Sequence, residues 1–99
     1  MPGRNQLQGA DLFQRLVDAA AARARSALGD RPVLRRCDDV TIGKGNDEVR
    51  LEAWCVREGG GGATINALAT GRDGQGRERL VAAGRFTFAI VARDGEGTA

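Results

Sequence analysis

Apolar residues recur at two spacings along this chain, and the change-over falls between Leu28 and Val33. From Gly9 or Asp11 to about Leu28 the spacing is helical. At 100° per residue, Phe13, Val17, Ala20, Ala24, Ala27 and Leu28 form one stripe, with Asp11, Gln14, Asp18, Ala22 and Arg25 opposite. Gly29 supplies a C-terminal stop and Pro32 lies just beyond it. After its first turn the stripe is mostly alanine, so this helix can lie close against a curved sheet.

Beyond Pro32 the period becomes two. Val33 to Ile42 predicts a strand, although Arg35, Arg36, Asp38 and Asp39 interrupt its alternation. Either one edge is solvated or the register changes near Asp38. Gly43 to Asn46 reads as a turn. From Val49 to Val56 the alternation is clean, with Val49, Leu51, Ala53 and Cys55 on one face and Arg50, Glu52 and Trp54 on the other. Ala63 to Thr70 and Leu80 to Val91 follow as two more antiparallel strands, separated by the polar turn Gly71 to Gly76. Phe86, Phe88 and Ile90 share one face of the last strand and are the expected core. Burying them contributes roughly 5–8 kcal/mol by area, before entropy is subtracted. The pattern gives a leader over residues 1–8 and a single α+β domain over 9–95.

Composition narrows the chemistry. The chain has 99 residues, enough for one core. A net charge of +2, scattered arginines and an aromatic set of three phenylalanines and one tryptophan argue against nucleic-acid binding by stacking. The longest uncharged apolar run, 86–92, is broken by Thr87 and too short for a bilayer, and Met1 to Gln6 lacks a secretory apolar segment. Residence in the cytoplasm is the default expectation. There is no histidine. Ser-His-Asp and Cys-His catalysis within one chain are thereby excluded, as are histidine-dependent dehydration and imidazole-ligated zinc. Acid–base chemistry falls to carboxylates, lysine, cysteine or water, and no cofactor or metal is called for. Cys37 and Cys55 form no C-x-x-C pair and read as small buried or half-buried thiols.

Several local motifs have structural readings. Gly59 to Gly62 is followed by a strand instead of the helix a phosphate loop needs, so a flexible hairpin connection is expected. Gly43-Lys-Gly45 lacks the Ser or Thr of a nucleotide loop. The segment 73–78 has too few carboxylates for calcium and reads as a hairpin turn. Asp38 and Asp39 are adjacent on a strand and point to opposite faces unless a bulge intervenes.

The order helix, then four strands, ending in Gly84-Arg-Phe-Thr-Phe88, resembles the hot-dog acyl-CoA thioesterases. Their pattern is a strand ending in a Gly-Arg-Ser-Ser-like turn, a second strand, a polar hairpin and a Gly-x-Phe-Thr-Phe strand. Here Arg57 to Gly62 stands at the turn, and Asn46-Asp-Glu-Val49 resembles the family's Gly-Asp-x-Val lead into the long strand. The resemblance covers residues 9 to 95. It implies one long helix wrapped by an antiparallel β-sheet, subunits joined as a homodimer or higher oligomer, and an acyl-CoA or acyl-carrier thioester substrate at the interface. It also implies that amides at the helix N-terminus, Gly9 and Ala10, polarise the thioester carbonyl. A helix carboxylate, Asp18 or failing it Asp11, then acts as base or nucleophile, with Gly60 and Gly61 at the substrate-facing turn. Three departures are visible. Residues 1–8 stand where the family has a strand, which a start within a longer thioesterase also explains. Glycines replace Arg-Ser-Ser at the turn. Without gaps, Val17 occupies the family's acidic position and Asp18 comes one step later. These departures keep open a second expectation, a non-catalytic subunit that binds an acyl thioester or partners an active homologue.

Overall fold

The computed structural model describes residues 6–7, 9–29, 31–43, 45–46 and 48–90. Among these residues six strands and one helix follow in the order β1 (Gln6–Leu7), α1 (Gly9–Leu28), β2 (Pro32–Ile42), β3 (Gly45–Asn46), β4 (Arg50–Gly59), β5 (Gly62–Arg72) and β6 (Glu78–Ile90). Four strands make an antiparallel sheet in the order β2-β6-β5-β4, and β1 pairs with β3 in a separate two-stranded ribbon. Gln6 and Leu7, expected in the leader, therefore meet Asn46 and Gly45 immediately ahead of the helix. The rest of residues 1–8 lies outside the described residues.

The helix stops where glycine permits it. Gly29 adopts φ 87° and donates its N–H to the Arg25 carbonyl at 2.9 Å, closing the last turn. The buried stripe of α1 is Leu12, Leu16, Ala20 and Ala24. Phe13, Val17, Ala27 and Leu28, expected on the same stripe as Ala20 and Ala24, are half-buried along its border. The i, i+4 ladder of two leucines and two alanines is what faces the sheet. Alanines line the other side as well: Ala63, Ala67 and Ala69 of β5 and Ala82 of β6 are buried with Ile65, Phe86 and Phe88. Small residues on both surfaces bring helix and sheet close together.

Phe86 and Phe88 are core residues as expected, but Ile90 is 40% exposed. It ends β6 opposite Pro32, past the cover that α1 provides to the two phenylalanines. A register shift between Ala69 and Thr70 places consecutive residues Val81 and Ala82 both in the interior.

The interruption in the first long strand is a bulge. The β2–β6 register shifts between Leu34 and Arg36 and again between Asp38 and Thr41, where Asp39 adopts φ 53°. Aspartate tolerates this left-handed conformation better than most side chains. The bulge defeats simple alternation: Asp38 ion-pairs with Arg36 at 3.0 Å and Asp39 reaches Arg85 at 3.7 Å. Both carboxylates thus serve arginines on the face of the sheet opposite α1. Cys55 is half-buried, whereas Cys37 is exposed. Cys37 lies on β2, an edge strand with no sheet neighbour on its outer flank among the described residues.

The glycine run is a hairpin connection, as expected. Gly59 pairs with Gly62, and between them Gly60 and Gly61 take φ 63° and 78°, the double left-handed geometry of a type I′ turn. The second hairpin is built on Asp73. Its carboxylate accepts the N–H groups of Gln75 at 2.8 Å and Arg77 at 2.9 Å. These two bonds, Arg77 first, hold the Asp73 carboxyl below its ordinary range.

Candidate active site

The resemblance places its chemistry at the start of α1. A helix that begins at Gly9 presents N–H groups with no intrahelical partner and the positive end of its dipole. Asp11 lies in this first turn, exposed, where the dipole stabilises a carboxylate. Asp18 is also exposed, on the flank away from Leu12, Leu16 and Ala20. Its Oδ1 accepts a hydrogen bond from the Gln14 side chain at 2.9 Å. Gly60 and Gly61 form the exposed tip of the β4–β5 hairpin.

Distance along the helix constrains how these residues combine. At about 1.5 Å per residue, Asp18 stands roughly 13 Å along the axis from Gly9. A carbonyl held by the Gly9 and Ala10 amides is therefore out of reach of the Asp18 carboxylate on the same helix. Asp11, in the same turn as those amides, is within reach. Three clefts of the sheet are lined by other residues.

One such cleft went unnoticed in the sequence. Glu48, Val49, Arg50, Thr70, Gly71, Arg72 and Glu78 surround a volume of about 300 Å³. Antiparallel register brings Arg50 beside Thr70, and Arg72 beside Glu78. The Glu78 carboxylate ion-pairs with Arg50 and accepts the Thr70 hydroxyl at 3.2 Å. The Arg50 hydrogen bond, then that of Thr70, lowers the Glu78 pKa. A carboxylate so engaged is a weak base, and its partners hold it ionised. The arrangement clamps three strands together and is poorly suited to proton transfer. Alternation alone could have signalled that Arg50 and Thr70 share the outer face, but bringing Arg50 to Glu78, 28 residues away in sequence, requires the register.

A stability dependence follows. Asp73 and Glu78 both have lowered pKa values, so each contributes stability above its unfolded-state value and loses it as pH falls. The acid limb of a denaturation profile should begin to descend below about pH 5. Glu78→Gln should flatten part of that limb while leaving neutral-pH unfolding cooperative, which urea titrations at several pH values will check. An unchanged limb in both Glu78→Gln and Asp73→Asn would show that neither carboxylate is engaged in solution.

Among the described residues, no three His, Cys, Asp or Glu side chains gather at metal-binding spacing. None of the described helices is long and apolar enough to cross a membrane.

No protein-family model and no curated protein sequence matches the chain. Solved structures do. A hexameric thioesterase from Yersinia pestis superposes with a TM-score of 0.78 at 22% identity, over 93% of this chain and 78% of that one. A hexameric hotdog fold thioesterase of Campylobacter jejuni gives 0.67 at 21% identity, over 95% and 75%. An acyl-CoA hydrolase from Bacillus cereus gives 0.78 at 17% identity, over 91% of this chain but 57% of the other. At these identities the likeness is one of fold alone, which in this chain is a long helix on a four-stranded antiparallel sheet. The chain has the hot-dog fold, shared with bacterial acyl-CoA thioesterases.

Proposed function

We propose that this protein hydrolyses a thioester of coenzyme A or an acyl carrier. The observation that carries the reading is the fold, which solved structures of a thioesterase and an acyl-CoA hydrolase share, with a helix that begins at Gly9. The amides of Gly9 and Ala10 hold the thioester carbonyl oxygen. The Asp18 carboxylate takes a proton from water as the water oxygen bonds to the carbonyl carbon. Negative charge then builds on the carbonyl oxygen, where the unpaired amides and helix dipole stabilise it. Collapse of this tetrahedral species breaks the carbon–sulfur bond, and the departing thiolate is protonated. The products are a carboxylic acid and a free thiol.

The roughly 13 Å between Gly9 and Asp18 supports a site built by two protomers, one giving the amides and the other the carboxylate. A homodimer or higher assembly is therefore part of the reading. Among the described residues, β2 and β4 are the edge strands of the sheet and available for such pairing. Asp11 in its own first turn is the alternative base for a site within one protomer. Gly60 and Gly61, at a hairpin tip, would border the bound thioester with backbone only.

Free-thiol release from a panel of acyl-CoAs, short, long and aromatic, tests the proposal. Turnover on any member establishes hydrolysis, and the chain-length profile sizes the acyl pocket. Silence across the panel with folded protein favours a second reading, a non-catalytic subunit that binds an acyl thioester or partners an active homologue. That reading draws on Val17 standing at the acidic position of the ungapped family pattern.

A further inference from the structure

The face of the sheet opposite α1 carries a second constellation. The strand registers align Arg57 with Thr64, Thr64 with Thr87, and Thr87 with Arg36, a rung crossing all four strands. The next rung aligns Trp54, Asn66, Arg85 and Asp38. Arg57 and Arg36 therefore stand at the two edges, with the Thr64 and Thr87 hydroxyls between them and Arg85 beside the threonines. Strands are about 4.8 Å apart, so the two edge arginines start roughly 14 Å from each other, within reach of a common centre. Arg36, Asp38, Arg57, Thr64, Arg85 and Thr87, with Val56, line a cleft of about 410 Å³. Arg85 also borders a neighbouring cleft of about 180 Å³ that contains Trp54, Asn66 and Leu68. The two clefts thus meet at Arg85 as a common wall.

Charge and partners indicate what fits. Three guanidiniums face one carboxylate in the larger cleft, Asp38, and Asp39 borders the smaller one. Asp38 engages Arg36 at 3.0 Å, and Arg85 holds Asn66 at 3.3 Å and Asp39 at 3.7 Å. These are solvent-exposed contacts, readily exchanged for a stronger anion. Among the described residues the Arg57 guanidinium makes no ion pair or hydrogen bond. Planar guanidiniums and hydroxyl donors suit phosphate oxygens. Beside them, Trp54 is 38% exposed and offers an aromatic face.

We propose that this outer face binds a nucleoside phosphate, its phosphate cradled by Arg36, Arg57, Arg85, Thr64 and Thr87 and its base against Trp54. The inference goes beyond the thioester reading and stands on residues of the opposite sheet face. AMP is the probe because it has no thioester, so its failure to bind leaves the hydrolysis result untouched, and the reverse holds. Trp54 is the single tryptophan, which makes intrinsic fluorescence a direct report on the site. AMP should quench it saturably and give matching calorimetric binding, while adenosine, lacking the phosphate, should not bind. Arg57→Gln and Arg85→Gln should each weaken AMP by about tenfold or more. Asp39→Asn should tighten it by releasing Arg85, and asparagine tolerates the φ 53° backbone there. Absence of saturable binding would overturn the proposal, as would AMP binding that both arginine variants leave unchanged. Inorganic phosphate binding as tightly as AMP would overturn the nucleoside assignment.

Discussion

Phe86→Ala should destabilise the protein by about 3–5 kcal/mol, a large share of the roughly 5–15 kcal/mol that holds a domain of this kind together. Phe86 is completely inaccessible to solvent, and its ring centroid lies 6.1 Å from that of Phe13 at a 55° tilt. That pairing couples the first turns of α1 to β6. The ring also lies over Gly84: a Cβ there would stand 2.8 Å from Phe86 Cζ and 3.2 Å from Val40 Cγ2. The glycine two residues before the phenylalanine is thus the seat of the ring, and Val40 borders the same spot. Removing the ring leaves a cavity that the alanine-rich surroundings are too small to fill. Urea denaturation followed by far-UV circular dichroism measures the loss. Ile90→Ala is the matched control, because Ile90 is 40% exposed at the end of the same strand and same alternation. If the two substitutions cost equally, the placement of the core around Phe86 is wrong.

That contrast shows where the sequence was legible. The element order, the hairpins and the clean alternation of 49–56 follow from local chemistry: glycine at forced left-handed turns, period two in the strands, alanine and leucine at helical spacing. The Phe86–Phe88 face was readable because large apolar residues at i and i+2 have one sensible destination. Ile90 obeys the same alternation but emerges from the core, since local periodicity cannot say how far a helix covers a strand. The helical stripe lies one residue from the Phe13–Val17 line, on Leu12 and Leu16, because the sheet it packs on sets which side of an apolar sector is buried. The bulge near Asp38 was signalled by broken alternation, yet its consequence, two carboxylates on one face, depended on the conformation of Asp39. The arginine rung was wholly unread: Arg36, Arg57 and Arg85 are far apart in sequence, and cross-strand register assembles them. The candidate helix site was suggested by family resemblance, and its spacing problem appears once the helix is given its length.

Asp18→Asn is expected to reduce thioester turnover by about 10²–10⁴-fold, the usual contribution of a positioned general base. Asparagine keeps the size of the side chain and loses its ability to accept the proton. Little else should change, because Asp18 is exposed and its described contact is an i, i+4 bond with Gln14, worth about 0.2–0.5 kcal/mol on a helix surface. A fall in kcat with KM and urea midpoint near wild type would therefore isolate chemistry from folding. The parallel Asp11→Asn variant separates the two geometries. If Asp11 carries the loss and Asp18 does not, the base sits in the same turn as the amides and one protomer contains the whole site. If Asp18 carries it, the 13 Å or so along the helix requires that the amides come from another subunit. Mixing Asp18→Asn with a protomer disabled at the helix start, such as Gly9→Pro, then provides a second test. In a shared site each hybrid dimer regains one intact pair of amides and carboxylate, so activity should return on mixing two inactive variants. Failure to complement, with hybrids confirmed by native mass spectrometry, would exclude the shared site and leave Asp18 without a catalytic role in this reading.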